Sequence, residues 1–110
     1  MQLIDRKTLQ QKLKHVTLVE ALPEKYFRDG HLPGAKHLPH DQVKELAPSV
    51  LPDKNAEIVV YCASATCQNS HIAAKLLTQL GYADVAVYAG GKQDWQEAGL
   101  PVEQGTAVAA

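Results

Sequence analysis

The two cysteines of the chain, Cys62 and Cys67, stand five positions apart in the segment IVVYCASATCQNSHIAAKLL (58–77), between an apolar run and a helical pattern. Two cysteines make no secreted disulfide framework, and in a reducing compartment such a pair points to a reactive thiol, a redox couple or a metal site. An unperturbed thiol, with a pKa of about 8.5, is only a few per cent thiolate near neutrality, so its surroundings decide whether it reacts. The segment beyond Cys62 enters a helix predicted to start near Ser70, whose unpaired N–H groups and positive end favour an anion and lower a thiol's pKa. Cys62 is therefore the candidate nucleophile. The backbone of Ala63, Ser64, Ala65, Thr66, Cys67, Gln68, Asn69 and Ser70 is the candidate substrate cradle. Cys67 is a candidate resolving or redox thiol, provided the two Cα atoms come within about 7 Å. Cys62, Cys67 and His71 also invite a zinc reading, but structural zinc wants four ligands and tighter cysteine spacing, so no metal is expected.

The elements that must position these thiols follow from the apolar pattern. EIVVYC is the clearest strand: four consecutive apolar or aromatic residues bounded by polar sequence, as expected of a central strand covered on both faces of a parallel sheet. TLVE (17–20), AKHLP (35–39) and DVAVY (84–88) read as further strands. Asp5 is placed to cap a helix carrying Leu9, Leu13 and Val16 on one face. One helical turn is expected around residues 24–27, and a short helix in DQVKELAPS, begun at His40 and Asp41 and stopped by Pro48. Ile72, Ala73, Leu76, Leu77 and Leu80 make one stripe of a helix ended by Gly81. GGKQDWQEAG turns on its glycines into a last helix with Trp95 in the core. Strand and helix alternate, which predicts an α/β fold, a mainly parallel central sheet with helices on both faces. Ligands of such sheets bind beyond the carboxyl ends of the strands, the address of Cys62.

Composition bounds the rest. The chain has 110 residues, 45% of them hydrophobic and 21% charged, with a formal net charge of -1. This suits a single globular domain over residues 1–110, with a frayed tail from about residue 105. The charge balance favours neither nucleic acid nor an anionic membrane as partner. No segment approaches the ~18 apolar residues of a membrane span and no leader pattern opens the chain, so a cytoplasmic protein is expected.

Four segments, in order, resemble the single-domain rhodanese family. YFRDGHLPGAKHLP (26–39) is similar to its Gly-His-hydrophobic-Pro-Gly-Ala segment, and IVVYC to the strand ending in its active-site cysteine. SHIAAKLLTQLGY (70–82) is similar to the helix that follows, and VYAGGKQDWQEAGLPVE (87–103) to the family's ending. The resemblance implies a sulfurtransferase without cofactor or metal. Cys62 would accept a sulfane sulfur as a persulfide from a small donor or a protein persulfide, then pass it to a thiol or cyanide. Loop N–H groups aimed at the outer sulfur would stabilise its charge. His31, in the Gly-His segment, is expected to make structural hydrogen bonds.

Two departures from the family pattern qualify that reading. The loop lacks the Arg or Lys often found there, and is about two residues longer. Doubly charged thiosulfate would then be held by backbone dipoles alone, which makes it a poor donor compared with polysulfide or a persulfide. The same neutrality argues against the arsenate reductases and phosphatases that share the fold. After the first family strand, Glu20, Ala21 and Leu22 stand where an Asp-x-Arg pattern is usual; the acidic position survives and the basic one does not, which weakens the case for an ion pair bracing that wall. A degenerate binding or regulatory module and a thiol redox protein cycling a Cys62–Cys67 disulfide are the rival functions; the sequence leaves oligomeric state open.

Overall fold

Short runs of β-branched and aromatic residues form a sheet, and the segments between them form helices that cover it. In chain order the elements are β1 (Gln2–Ile4), α1 (Arg6–Lys12), β2 (Thr17–Glu20), α2 (Glu24–Asp29), β3 (Lys36–His37), α3 (Val43–Val50), β4 (Glu57–Tyr61), α4 (Asn69–Gln79), β5 (Asp84–Tyr88) and α5 (Gly91–Glu97). The computed structural model describes residues 2–105, so the tail expected beyond Gly105 lies outside the described residues. The five strands lie in the order β1-β5-β4-β2-β3 and every pairing is parallel. The α/β fold with a parallel sheet is as the alternation predicts.

Successive side chains on a strand point to opposite faces, and burial follows that period. Ile58, Val60, Val85 and Val87 pack with Val43 and Ala47 of α3 and Ala73, Ala74 and Leu77 of α4. On the other face Val59, Tyr61, Ala86 and Tyr88 pack with Leu9 of α1, Phe27 of α2 and Trp95 of α5. Trp95 is in the core as predicted, its indole N–H donating to Pro101 O at 2.8 Å. Both faces being covered explains why β4 reads as an unbroken apolar run.

Register then builds the functional edge. Glu20 pairs with Tyr61, Tyr61 with Tyr88 and Tyr88 with Ile4, so four strands end level. Strand order reverses between β4 and β2, and the crevice beyond their carboxyl ends is where such sheets bind ligands. Cys62 follows Tyr61 directly at that point.

The structure departs from the sequence reading at four places. β1, an edge strand of three residues, has too few side chains to show a period. Pro48 lies inside α3 rather than ending it. Proline removes one N–H, but the last turn is held by Leu51 N–H on Ala47 O at 2.7 Å, and the Tyr82 hydroxyl lies 2.6 Å from Leu51 O. The helix also starts later than His40 and Asp41, with Gln42 as its N-cap. In α4 the buried face is Ser70, Ala73, Ala74 and Leu77, while Ile72 is 43% exposed, so the stripe is rotated from the expected one. Small residues let the helix backbone lie close to the sheet. Gly81, at φ 98°, ends α4 as expected. Asp5 caps α1, accepting from Thr8 N–H at 2.8 Å, but that helix stops at Lys12, before Leu13 and Val16. No helix of the described residues is long and apolar enough to cross a membrane.

Candidate active site

Cys62 is held from three sides. Its backbone carbonyl accepts Lys92 N–H at 3.0 Å, and the Ala63 carbonyl accepts Gln93 N–H at 2.9 Å. The unpaired first N–H groups of α5 are thereby spent on the chain leaving β4. This contact needs glycine before it. Gly91 has φ 66°, and a Cβ there would lie 2.5 Å from Cys62 O and 3.0 Å from Ser64 N. The third side is the first turn of α4: Cys62 Sγ lies 3.3 Å from Ser70 Oγ and 3.4 Å from Cys67 O.

The loop from Ala63 to the start of α4 folds back on itself, with Cys67 N–H donating to Ser64 O at 3.1 Å and the Ser64 and Thr66 hydroxyls 3.1 Å apart. It carries no charged side chain. The turn returns Cys67 to Cys62, whose Sγ lies 3.4 Å from the Cys67 carbonyl oxygen. Both cysteines are free, Cys62 buried and Cys67 half-buried.

The acidity of Cys62 is the reverse of the sequence expectation. Burial pushes the Cys62 thiol up, and the neighbouring Cys67 adds to the rise; the Ser70 hydroxyl and N–H offset only part of it. Burial also opposes ionisation of Cys67, but there the hydrogen bonds from the Cys62 thiol and from Ala63 and Asn69 N–H prevail, and its pKa is lowered. The start of α4 does reach the Cys62 sulfur, through Ser70. In the free protein it is outweighed by loss of water.

Opposite the loop stands a wall that sequence reasoning missed. Glu20 is fully buried at the end of β2, its Oε1 accepting from the Tyr61 hydroxyl at 2.8 Å. That hydroxyl in turn accepts Leu32 N–H at 3.0 Å, tying the Gly-His-Leu-Pro-Gly segment to the sheet. The Lys92 ammonium lies 3.0 Å from Glu20 Oε2, an ion pair whose angle falls short of a hydrogen bond, and donates to Tyr26 O at 2.6 Å. Burial raises the Glu20 pKa against the pull of Tyr61 and Lys92. An ion pair does brace this wall, with its cation supplied from α5 instead of position 22. Glu20 and Lys92 are far apart in sequence and share no motif; a lysine directly after the glycine turn was the only signal.

His31 has the structural role expected of it. It is buried, its Nδ1 is 2.8 Å from Phe27 O, its ring stacks on Phe27 at 3.9 Å, and its backbone exchanges two 2.8 Å hydrogen bonds with Glu103. His71 is half-buried, and no three His, Cys, Asp or Glu side chains among the described residues assemble as metal ligands. A hollow at the ends of β1 and β5, lined by Arg6, Tyr88 and Asp94, does not include Cys62 or its loop.

A buried cysteine at the end of the central strand, facing a loop that curls into a helix, is the arrangement the sequence resemblance implies, and the family model "Rhodanese-like domain" matches residues 5–98. The chain belongs to the rhodanese-like domain family. Its curated relatives include the HTH-type transcriptional regulator Rv0324 of Mycobacterium tuberculosis, 32% identical over 93 residues, and the thiosulfate sulfurtransferase PspE of Escherichia coli, 37% identical over 73 residues. The alignment covers 84% of this chain and 40% of the regulator, and 66% of both this chain and PspE. Among solved structures, a rhodanese-like domain from Anabaena superposes on the whole chain, and on 84% of its own, with a TM-score of 0.83 at 25% identity. A thiosulfate sulfurtransferase from Pseudomonas aeruginosa, at 24% identity, shares the fold with a TM-score of 0.82 over 94% of this chain and 20% of its own. The rhodanese fold thus hosts, among relatives of this chain, both a protein named for catalysis and one named for regulation.

Proposed function

We propose that this rhodanese-like domain is a sulfurtransferase that carries sulfane sulfur as a persulfide on Cys62 and passes it to a thiol or cyanide. The observation that carries the reading is the seat of Cys62 Sγ: at the switch point of the sheet, against the first turn of α4, donating to Ser70 Oγ at 3.3 Å, with the Ser70 hydroxyl and N–H lowering the thiol pKa. A thiolate formed there attacks the outer sulfur of a donor, and the leaving group departs through the exposed loop. The outer sulfur of the persulfide is then stabilised by loop N–H groups rather than by a cation. Because residues 63–70 carry no charge, polysulfide or a protein persulfide is the preferred donor and thiosulfate a poor one. Two free thiols in one loop suit the reducing cytoplasm, where we place the activity.

Sulfur loading of the Cys67→Ser variant tests this, because no second thiol then competes. Intact mass is read after incubation with polysulfide and, separately, with thiosulfate, beside the Cys62→Ser/Cys67→Ser double variant. Gain of one sulfur by Cys67→Ser and none by the double variant supports the carrier. No gain from either donor overturns it. A second reading, a regulatory module that has kept the fold without turnover, draws on the 1% exposure of Cys62, its raised thiol pKa and the regulator relative. That module predicts inert thiols in the same assay.

A further inference from the structure

We propose that Cys62 and Cys67 form a dithiol relay in which Cys67 discharges the sulfur held on Cys62 as hydrogen sulfide, leaving an intraloop disulfide that an external dithiol reduces. This rests on the carrier reading above and names what first reduces the carried sulfur: a thiol inside the protein.

The geometry of the loop leads to it. The Ser64–Cys67 turn brings residue 67 back against residue 62, with Cys67 O at 3.4 Å from Cys62 Sγ. An attacking group held in the same loop has an effective concentration that no free thiol reaches in solution. External acceptors are disfavoured further by burial, since Cys62 is almost fully covered while Cys67 is half-exposed beside it. The N–H groups of Ala63 and Asn69 lower the Cys67 thiol pKa and so favour the thiolate, the form that attacks.

The Cys67 thiolate attacks the Cys62 sulfur of the protonated persulfide, forming the Cys62–Cys67 bond and breaking the bond to the outer sulfur, which departs as HS⁻. The sulfane sulfur gains two electrons and the two cysteines lose them. A dithiol, low-molecular-weight or protein-borne, then restores both thiols by exchange and is itself oxidised to a disulfide. With no cation in the loop, only backbone dipoles hold the hydrosulfide anion back.

The experiment uses reduced, desalted full-length protein and inorganic polysulfide, with intact mass and released sulfide followed for wild type, Cys67→Ser and Cys62→Ser. Wild type is expected to end two hydrogens lighter and to release sulfide at least tenfold faster than Cys67→Ser. Cys67→Ser is expected to hold one added sulfur, and dithiothreitol should return wild type to its starting mass. If wild type and Cys67→Ser hold the added sulfur equally well, the relay is wrong and the carrier reading survives. If Cys62→Ser gains sulfur as fast as Cys67→Ser, Cys67 is itself a primary acceptor and the relay is also wrong. If neither single variant is loaded, the carrier reading fails, and the relay with it.

Discussion

Cys62 lies between two walls built on opposite plans. On the β2 side, Glu20, Tyr61, Leu32 and Lys92 are tied across two strands, a loop and a helix by buried polar contacts. On the α4 side, residues 63–68 are tied mainly to one another and to the cysteines, and most of them face water. Satisfied buried networks are rigid, whereas loops with few external bonds open at low cost. The contrast fits separate duties in the proposed relay: the stiff wall would fix where the Cys62 carbonyl and Cα stand, and the soft wall would supply the donors and the second thiol that must move.

The largest effect is expected from removing the cation of the stiff wall. Lys92→Met leaves a fully buried carboxylate without its partner, and breaking a buried pair from one side costs about 3–5 kcal/mol. The cost depends on pH with a definite sign. Burial already raises the Glu20 pKa, and loss of Lys92 raises it further, so the folded variant holds a proton that the unfolded chain has released above the usual carboxylate range. Stability relative to wild type should therefore fall as pH rises from about 4 toward neutrality. Urea denaturation at several pH values measures this, and an equal loss at every pH would break the argument. Glu20→Gln added to Lys92→Met should recover part of the loss.

Next in size is the seam where the stiff wall touches the reactive chain. Gly91→Ala combines backbone strain at φ 66° with a Cβ 2.5 Å from Cys62 O, and is expected to cost about 2–3 kcal/mol and to slow sulfur loading. Gly34→Ala is the control: its φ is 76° but nothing lies within 4 Å, so only the strain of about 1–2 kcal/mol should appear, with loading unchanged. Equal effects would mean that close approach to Cys62 is of no consequence. On the soft wall, Ala65→Arg supplies the missing cation. It should improve thiosulfate use by about tenfold, or ~1.4 kcal/mol, while leaving polysulfide use alone. An equal gain for both donors would show that charge was not what limited thiosulfate.

The two walls also differed in how far the sequence revealed them. The soft wall is local: its thiols, its neutrality and the helix after it occupy one continuous segment, so motif and spacing were enough to single out Cys62, Cys67 and the loop as candidates. The sheet was legible because β4 and β5 are apolar on both faces, and the period of two is satisfied in two separate cores. The stiff wall is non-local. Lys92 reaches Glu20 only because α5 starts against the end of β4, a juxtaposition that no local pattern records. Helix phase misled for a related reason. Ile72 outweighs Ala73 and Ala74 on any hydrophobicity scale, yet alanines occupy the face where the backbone lies nearest the sheet. The direction of the Cys62 shift was lost to the same blindness: spacing showed the helix start, and only three dimensions show the burial.

The smallest expected effect concerns the one donor that joins the soft wall to Cys62. Ser70 is buried, and its hydroxyl and N–H both lower the Cys62 thiol pKa, against the larger opposing effect of burial. Ser70→Ala removes the hydroxyl and keeps the N–H, a loss of about 0.5–1.5 kcal/mol from the ionised form. With the thiol pushed up, a smaller fraction is ionised at any pH below its titration. Sulfur loading in the Cys67→Ser background should thus slow roughly threefold to tenfold at neutral pH, and the deficit should close as pH rises past the titration of both proteins. A deficit that persists at high pH would mean that Ser70 positions the sulfur without tuning its charge, and Ser70 would then belong with the stiff wall.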